Sequence, residues 1–202
     1  MALKIAILGW GSLLWWPQAA FDAQHGEWNF GGPRLPIEFT RVAPASMGGL
    51  TLVIDPVHGH PTQTAYSLSK RDTVAEARRD LQDREWARST ELIGCLDLTA
   101  GGAGSPGDGV EAAIVAWAAD REIDAVVWTA YPPNFQEKTA TEFSVAMAIA
   151  YLKNLPRADQ ERAANYIRKA PTFVQTPLRR ALLEEDWFNR LVEEAAMKRP
   201  RA

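Results

Sequence analysis

The 202-residue chain carries 22 Lys and Arg against 25 Asp and Glu, a formal charge of −3, and lacks the basic excess that a sequence-independent nucleic-acid binder needs. Apolar residues make up 47% and charged residues 23%, a globular balance that excludes disorder. At about 150 residues per domain the length suits one domain with a core that needs no staples. The single cysteine, Cys95, excludes an internal disulfide framework and a multi-Cys zinc site and suits a reducing compartment. Within the run Leu92-Ile93-Gly94-Cys95-Leu96 it is expected as a small buried core residue. No stretch approaches the ~20 apolar residues of a membrane span. The first 16 residues are broken by Gly9, Gly11 and Ser12 and crowded by Trp10, Trp15 and Trp16, a poor signal peptide and a good strand-and-loop, so a cytoplasmic protein is expected.

In chain order, Lys4–Leu8 reads as a strand running into the loop Gly9-Trp10-Gly11-Ser12. Residues 15–36, rich in Trp, Pro and Gly, read as irregular surface. Ile37–Val42 alternates, Leu50–Ile54 is β-rich, Asp55–Pro61 makes a turn with exposed His58 and His60, and Thr64–Leu68 returns as a strand. A helix follows, with Ser69 and Asp72 as its capping pair, to about Trp86. The tract Gly101–Gly109 reads as a loop between hairpin strands, and Ala112–Ala118 and Ala125–Ala130 as two further strands. Beyond residue 135 the texture turns helical. Thr139–Glu142 forms a capping-box pattern, Pro156 suits the start of a helix to about Lys169, and Thr176-Pro177 opens another. Strands first and helices last predict an α+β class: one domain over 1–202, with a β-rich core at 1–135 and C-terminal helices at 136–202.

The helix before Trp86 is the most informative segment. At about 100° per residue, Val74, Ala77 and Leu81 share a stripe, Glu85 falls about 20° from the direction of Val74, and Asp83 points to the opposite face. A carboxylate aimed along an apolar side has the raised pKa that a general base or acid needs. The same periodicity also fits a Glu paired with an Arg or lying at a frayed helix end. The glycine loop is no dinucleotide fingerprint. Leu14 occupies the third glycine position, and no acidic residue follows at the end of a second strand about 20 residues on. Gly9 and Gly11 serve either a tight turn or a set of backbone N–H groups aimed at an anion. His58-Gly59-His60 lacks further ligands at metal-site spacing, and no Gly-x-Ser-x-Gly elbow is present.

Ile7–Trp15 resembles the N-terminal Tyr-Gly-Ser-Leu loop of the γ-glutamylcyclotransferase-like superfamily, its ChaC-type branch in particular. Leu81-Gln82-Asp83-Arg84-Glu85 is similar to that family's Leu-x-x-Arg-Glu segment, and Val127–Phe135 to its strand ending in an Asn-Pro-x-Tyr-like turn. The segments keep the family order over about residues 5–155. The resemblance implies a small mixed, barrel-like β core with flanking helices, and a cofactor-independent, metal-free enzyme that converts a γ-glutamyl amine or peptide to 5-oxoproline and a free amine. It implies Glu85 as catalytic acid/base, with Gly9, Trp10, Gly11, Ser12 and Leu13 holding the substrate. Trp86, Trp128 and Phe135 are the aromatic pocket candidates. Its only expected partner is that small molecule, with no nucleic acid or membrane; oligomeric state is open. Trp10 and Phe135 stand where the family has Tyr, so two hydroxyls are missing. The alternative is a chain that kept the fold but lost turnover, a small-molecule-binding or interaction module.

Overall fold

The computed structural model describes residues 3–44, 49–99 and 109–197. Along these residues run seven strands and eight α-helices. They are β1 (Ile5–Gly9), α1 (Ala19–Asp22), β2 (Arg34–Val42), β3 (Leu50–Ile54), β4 (His60–Gln63), β5 (Ala65–Leu68) and α2 (Val74–Arg84). After these come β6 (Ile93–Asp97), α3 (Val110–Ala119), β7 (Ala125–Thr129), α4 (Phe135–Thr139), α5 (Val145–Asn154), α6 (Arg157–Lys169), α7 (Pro177–Leu183) and α8 (Asp186–Met197). The α+β class holds. The strands form a four-stranded sheet in the order β5-β1-β7-β6 and a three-stranded sheet in the order β3-β2-β4. Among the described residues neither sheet closes into a barrel. The chain divides into two units, one built from 1–36 and 61–131 and the other from 37–60 and 132–202. The change of texture read near residue 135 falls close to the return of the chain into the second unit.

In the first unit, β1 pairs in parallel with β7 and antiparallel with β5, and β6 pairs antiparallel with β7. The two inner strands are buried and apolar on both faces up to the terminal Thr129 of β7, as strands covered on both sides are. Side chains alternate across a sheet, so Ile5 and Ile7 of β1, Ala125 and Val127 of β7 and Ile93 of β6 share one face. Ala77 and Leu81 of α2 join them in a single apolar cluster with Leu13, Phe21 and Ala87. On α3, Ile114, Trp117 and Ala118 are buried at helical spacing.

In the second unit, β3 pairs antiparallel with β2 across a bulge between Glu38 and Arg41. Phe39, Leu152, Ala163, Ile167, Leu178, Leu182 and Phe188 are buried there. Gly49 sits at φ +82°, and a Cβ on it would collide with Ala163. The second residue of the alternating segment Ile37–Val42, Glu38, is wholly buried; its Oε1 accepts the Phe39 amide at 2.7 Å and its Oε2 the Leu178 amide at 3.1 Å. Burial pushes this carboxyl above its ordinary pKa, against the Thr176 hydroxyl and the two amides.

Several expectations need correction. Ala112–Ala118 lies within a helix and not a strand: an unbroken apolar run carries no period, and four alanines favour the helix. β6 takes up most of the run from Leu92 to Leu96, and the tract Gly101–Gly109, all but its last residue outside the described residues, leads from a strand to a helix and not between hairpin strands. Cys95 within β6 is half-buried against the apolar cluster, not fully buried. The region 15–36 contains α1 and the start of β2. Thr73 caps α2, its hydroxyl accepting the Glu76 amide at 3.3 Å, whereas the Ser69 hydroxyl accepts from Arg71 in the preceding turn. Thr139 ends α4 by donating to the Phe135 carbonyl at 2.7 Å, with Ala140 left-handed after it, and Ser144 caps α5 instead. Both misreadings placed the cap on a hydroxyl upstream of the one that caps the helix. The starts of α6 after Pro156 and of α7 after Thr176 agree with the sequence.

Gly94 faces Trp128 across the β6–β7 pairing, and a Cβ there would fall on the indole ring. Gly94→Ala is expected to cost about 1–3 kcal/mol by overpacking. Urea denaturation should show a lower midpoint at an unchanged slope.

Candidate active site

The loop after β1 is shaped by close packing. A Cβ on Gly9 would lie 2.9 Å from the Trp28 ring and 3.2 Å from Leu14, so glycine is required there for the approach of these side chains rather than for a left-handed backbone. Residues Ser12–Leu14 form one 3₁₀ turn, closed by the Leu14 amide on the Gly11 carbonyl at 3.0 Å and the Trp15 amide on Ser12 at 3.2 Å. Among the described residues, the amides of Ser12 and Leu13 donate to no acceptor. Trp10 is buried at 2% exposure, and Leu13 belongs to the apolar cluster.

Glu85 is the residue that closes α2. Its backbone amide still reaches the Leu81 carbonyl at 3.1 Å, which carries the helical direction one residue past the last turn. Its side chain is 20% exposed. Burial pushes its carboxyl above the ordinary range, and the neighbouring Arg84 charge pulls in the opposite direction without cancelling the rise. Asp83, on the opposite side of the helix, is exposed as its position predicts.

Arg84 is the part of this site that sequence reasoning left out. Its side chain is 6% exposed, its Nη1 lies 3.6 Å from Glu85 Oε1, and its Nη2 donates to the Trp16 carbonyl at 2.8 Å and, at a long 3.5 Å, to Ser12. The guanidinium therefore joins Glu85 to the loop, and it does so through loop carbonyls. Tyr131 adds a second missed contact, its hydroxyl donating to the Glu85 carbonyl at 3.3 Å. A signal for both existed in the quoted segments, where Arg84 precedes Glu85 and Tyr131 follows the strand, but neither periodicity nor spacing distinguishes them from surface residues.

The aromatic candidates do not gather around Glu85. Trp86 has φ +46° and is 76% exposed, so its ring turns to solvent and does not desolvate the carboxyl. Trp128 follows Val127, which packs toward α2; by alternation it lies on the other face of the sheet, over Gly94. Phe135 belongs to the second unit, where it packs edge-on to Phe143 and Tyr151. Of the pocket candidates, then, none lines the Glu85 carboxyl in the first unit.

Among the described residues no group of three or more His, Cys, Asp or Glu could hold a metal ion, and no helix is long and apolar enough to cross a membrane. Comparison with family models, with curated proteins and with solved structures returns no match.

Two outcomes follow from the Glu85 electrostatics. A carboxyl raised by the fold is bound more tightly to its proton when folded, so its contribution to stability is greatest below the ordinary pKa and is lost as pH rises through the raised value. Glu85→Gln should therefore lose less stability than the wild type between pH 4 and pH 8 in urea denaturation. Arg84→Met removes the one charge that lowers the Glu85 pKa; the Glu85 carboxyl titration followed by ¹³C NMR should move to higher pH. That variant also leaves the Trp16 carbonyl without its Arg84 donor, with an expected cost of about 1–3 kcal/mol.

Proposed function

We propose that the chain is a γ-glutamylcyclotransferase-like enzyme that closes a γ-glutamyl amine or peptide to 5-oxoproline and releases the amine. The observation that carries this reading is Glu85, a mostly buried carboxyl with a raised pKa, tied through Arg84 to the loop that resembles the family's substrate loop. The finer fold assignment, a core of the cyclotransferase type, rests on the same resemblance.

The reaction needs little from the protein beyond positioning and one mobile proton. Nucleophile and electrophile belong to one substrate, so a bound near-attack conformer removes most of the entropic barrier. Glu85, as carboxylate, takes a proton from the substrate α-ammonium, and the freed amine attacks the γ-carbonyl carbon, forming the ring C–N bond. The acid form of Glu85 returns that proton to the departing nitrogen as the original C–N bond breaks, and the second proton on the ring nitrogen passes through solvent to the released amine, which leaves as an ammonium. A pKa above the ordinary carboxylate range brings acid and base forms closer in population, as one group serving both steps requires. The unused amides of Ser12 and Leu13 are suited to the glutamyl carboxylate or the developing oxyanion. The second reading, a binding module without turnover, is favoured by Trp10, which is buried and brings no hydroxyl to the loop.

Purified protein incubated with glutathione and a panel of γ-glutamyl amides, with 5-oxoproline followed by mass spectrometry, separates the two. Turnover by the wild type is expected, falling about 10²–10⁴-fold in Glu85→Gln, the usual contribution of a positioned acid/base. Equal product from both proteins would remove Glu85 from the chemistry. No product from any substrate would leave the binding module.

A further inference from the structure

The second unit holds a cavity of about 300 Å³ that the Glu85 chemistry does not use, lined in part by Thr40, Asp55, His58, Asn134, Phe135 and Phe143. Its polar wall is organised by a buried carboxylate. Asp55 is 1% exposed, and its Oδ1 accepts the amides of Val57 at 2.9 Å and His58 at 3.0 Å, turning the chain back toward the strand. Its Oδ2 lies 3.3 Å from His58 Nδ1. Burial by itself would raise the Asp55 carboxyl, but the amides of His58 and Val57, the Thr40 hydroxyl and the His58 ring together hold it below its ordinary pKa. Asp55 therefore stands as an acceptor, and the proton of a neutral His58 must sit on Nδ1.

In that neutral tautomer His58 Nε2 is an acceptor at the opposite edge of the ring, with no hydrogen-bond partner among the described residues. The imidazole is half-buried rather than solvent-exposed as its turn suggested, and it leans edge-on against Phe143 with ring centroids 5.3 Å apart. Phe143 in turn meets Phe135 nearly perpendicularly at 5.4 Å. Asn134 is not available to a ligand, because its side chain is spent on the amide and carbonyl of Val42. The cavity thus offers an aromatic face beside one oriented imidazole, its lining completed by Val57, Pro133, Gln136 and Glu137, at the lower end of the ~300–1,000 Å³ range of small-molecule sites.

We propose that this cavity binds a small aromatic molecule bearing a hydroxyl, the ring packed against Phe135 and Phe143 and the hydroxyl donating to His58 Nε2. The hydroxyl is selected because the neutral Nδ1–H tautomer presents an acceptor, and the ring because Phe135 and Phe143 stand beside it in the wall.

Phenol is the probe. Titrated into the full chain under ¹H–¹³C NMR, with the three imidazoles resolved, it should shift the His58 ring signals saturably and leave those of buried His25 in place. Anisole keeps the ring but cannot donate and should bind about tenfold more weakly. In His58→Leu, phenol affinity measured by ligand-observed saturation transfer should fall to the anisole level, while Glu85→Gln should bind phenol like the wild type. Equal binding of phenol and anisole, or no shift at His58 up to the solubility of phenol, overturns the proposal. The phenol–anisole comparison uses the unmodified protein and decides the matter even where His58→Leu does not fold.

Discussion

The seating of α2 on one face of the four-stranded sheet determines most of what the first unit can do. Ala77 and Leu81 are wholly buried, and they lie against Ile5 and Ile7 of β1, Ala125 and Val127 of β7 and Ile93 of β6. Burial of these side chains, worth about 25 cal/mol per Å² of apolar area, fixes the rotation of the helix about its axis. Once that rotation is set, the residue four places beyond Leu81 has no choice of direction. Glu85 is carried toward the sheet side, while Asp83 is carried to solvent. Leu13, in the loop after β1, belongs to the same apolar cluster, so the packing that turns Glu85 inward also anchors the loop.

The electrical state of Glu85 is then a contest between burial and Arg84. The guanidinium sits 3.6 Å away, yet it is shared with the carbonyls of Ser12 and Trp16, and a salt bridge so divided does not repay the desolvation of the carboxyl. A dedicated ion pair would have driven the pKa down. The left-handed backbone of Trp86 matters here as well, since it sends a large apolar ring outward at the point where the chain leaves the helix.

Two carboxylates of the second unit show how the same burial ends in opposite ways. Glu38 is wholly buried, and the Thr176 hydroxyl, one amide on each oxygen and the Arg180 charge do not overcome its burial, so it stays above its ordinary pKa. Asp55, just as hidden as a residue, has two amides on a single oxygen, a hydroxyl and an imidazole beside it, and falls below. Burial penalises the charged form of each, and the donors that converge on the group decide whether that penalty is overcome. The first arrangement ties β2 to the start of α7, and the second orients His58.

Local chemistry was readable wherever one residue type dominated a segment. The helix starts at Pro156 and Thr176, the existence of strand β2, and the stripe of Val74, Ala77 and Leu81 all follow from proline geometry, capping hydroxyls and residue pattern, which act within a few residues. The inward direction of Glu85 belongs with them, because a helix propagates its angle faithfully from one end to the other. What lay beyond the sequence were the choices made by distant partners. The Ala112–Ala118 run became a helix on propensity, with no period to announce it, and β6 was hidden in a run too short to tell from a loop. Arg84 as the bridge between helix and loop, Glu38 buried on an alternating strand, and Asp55 orienting His58 each depend on groups brought from elsewhere in the chain or on a turn closing around them. Where an element's type was legible, its period set the direction in which its side chains leave; what they meet there came from the fold, because burial and electrostatic partnership are properties of the packed surroundings and not of the residue.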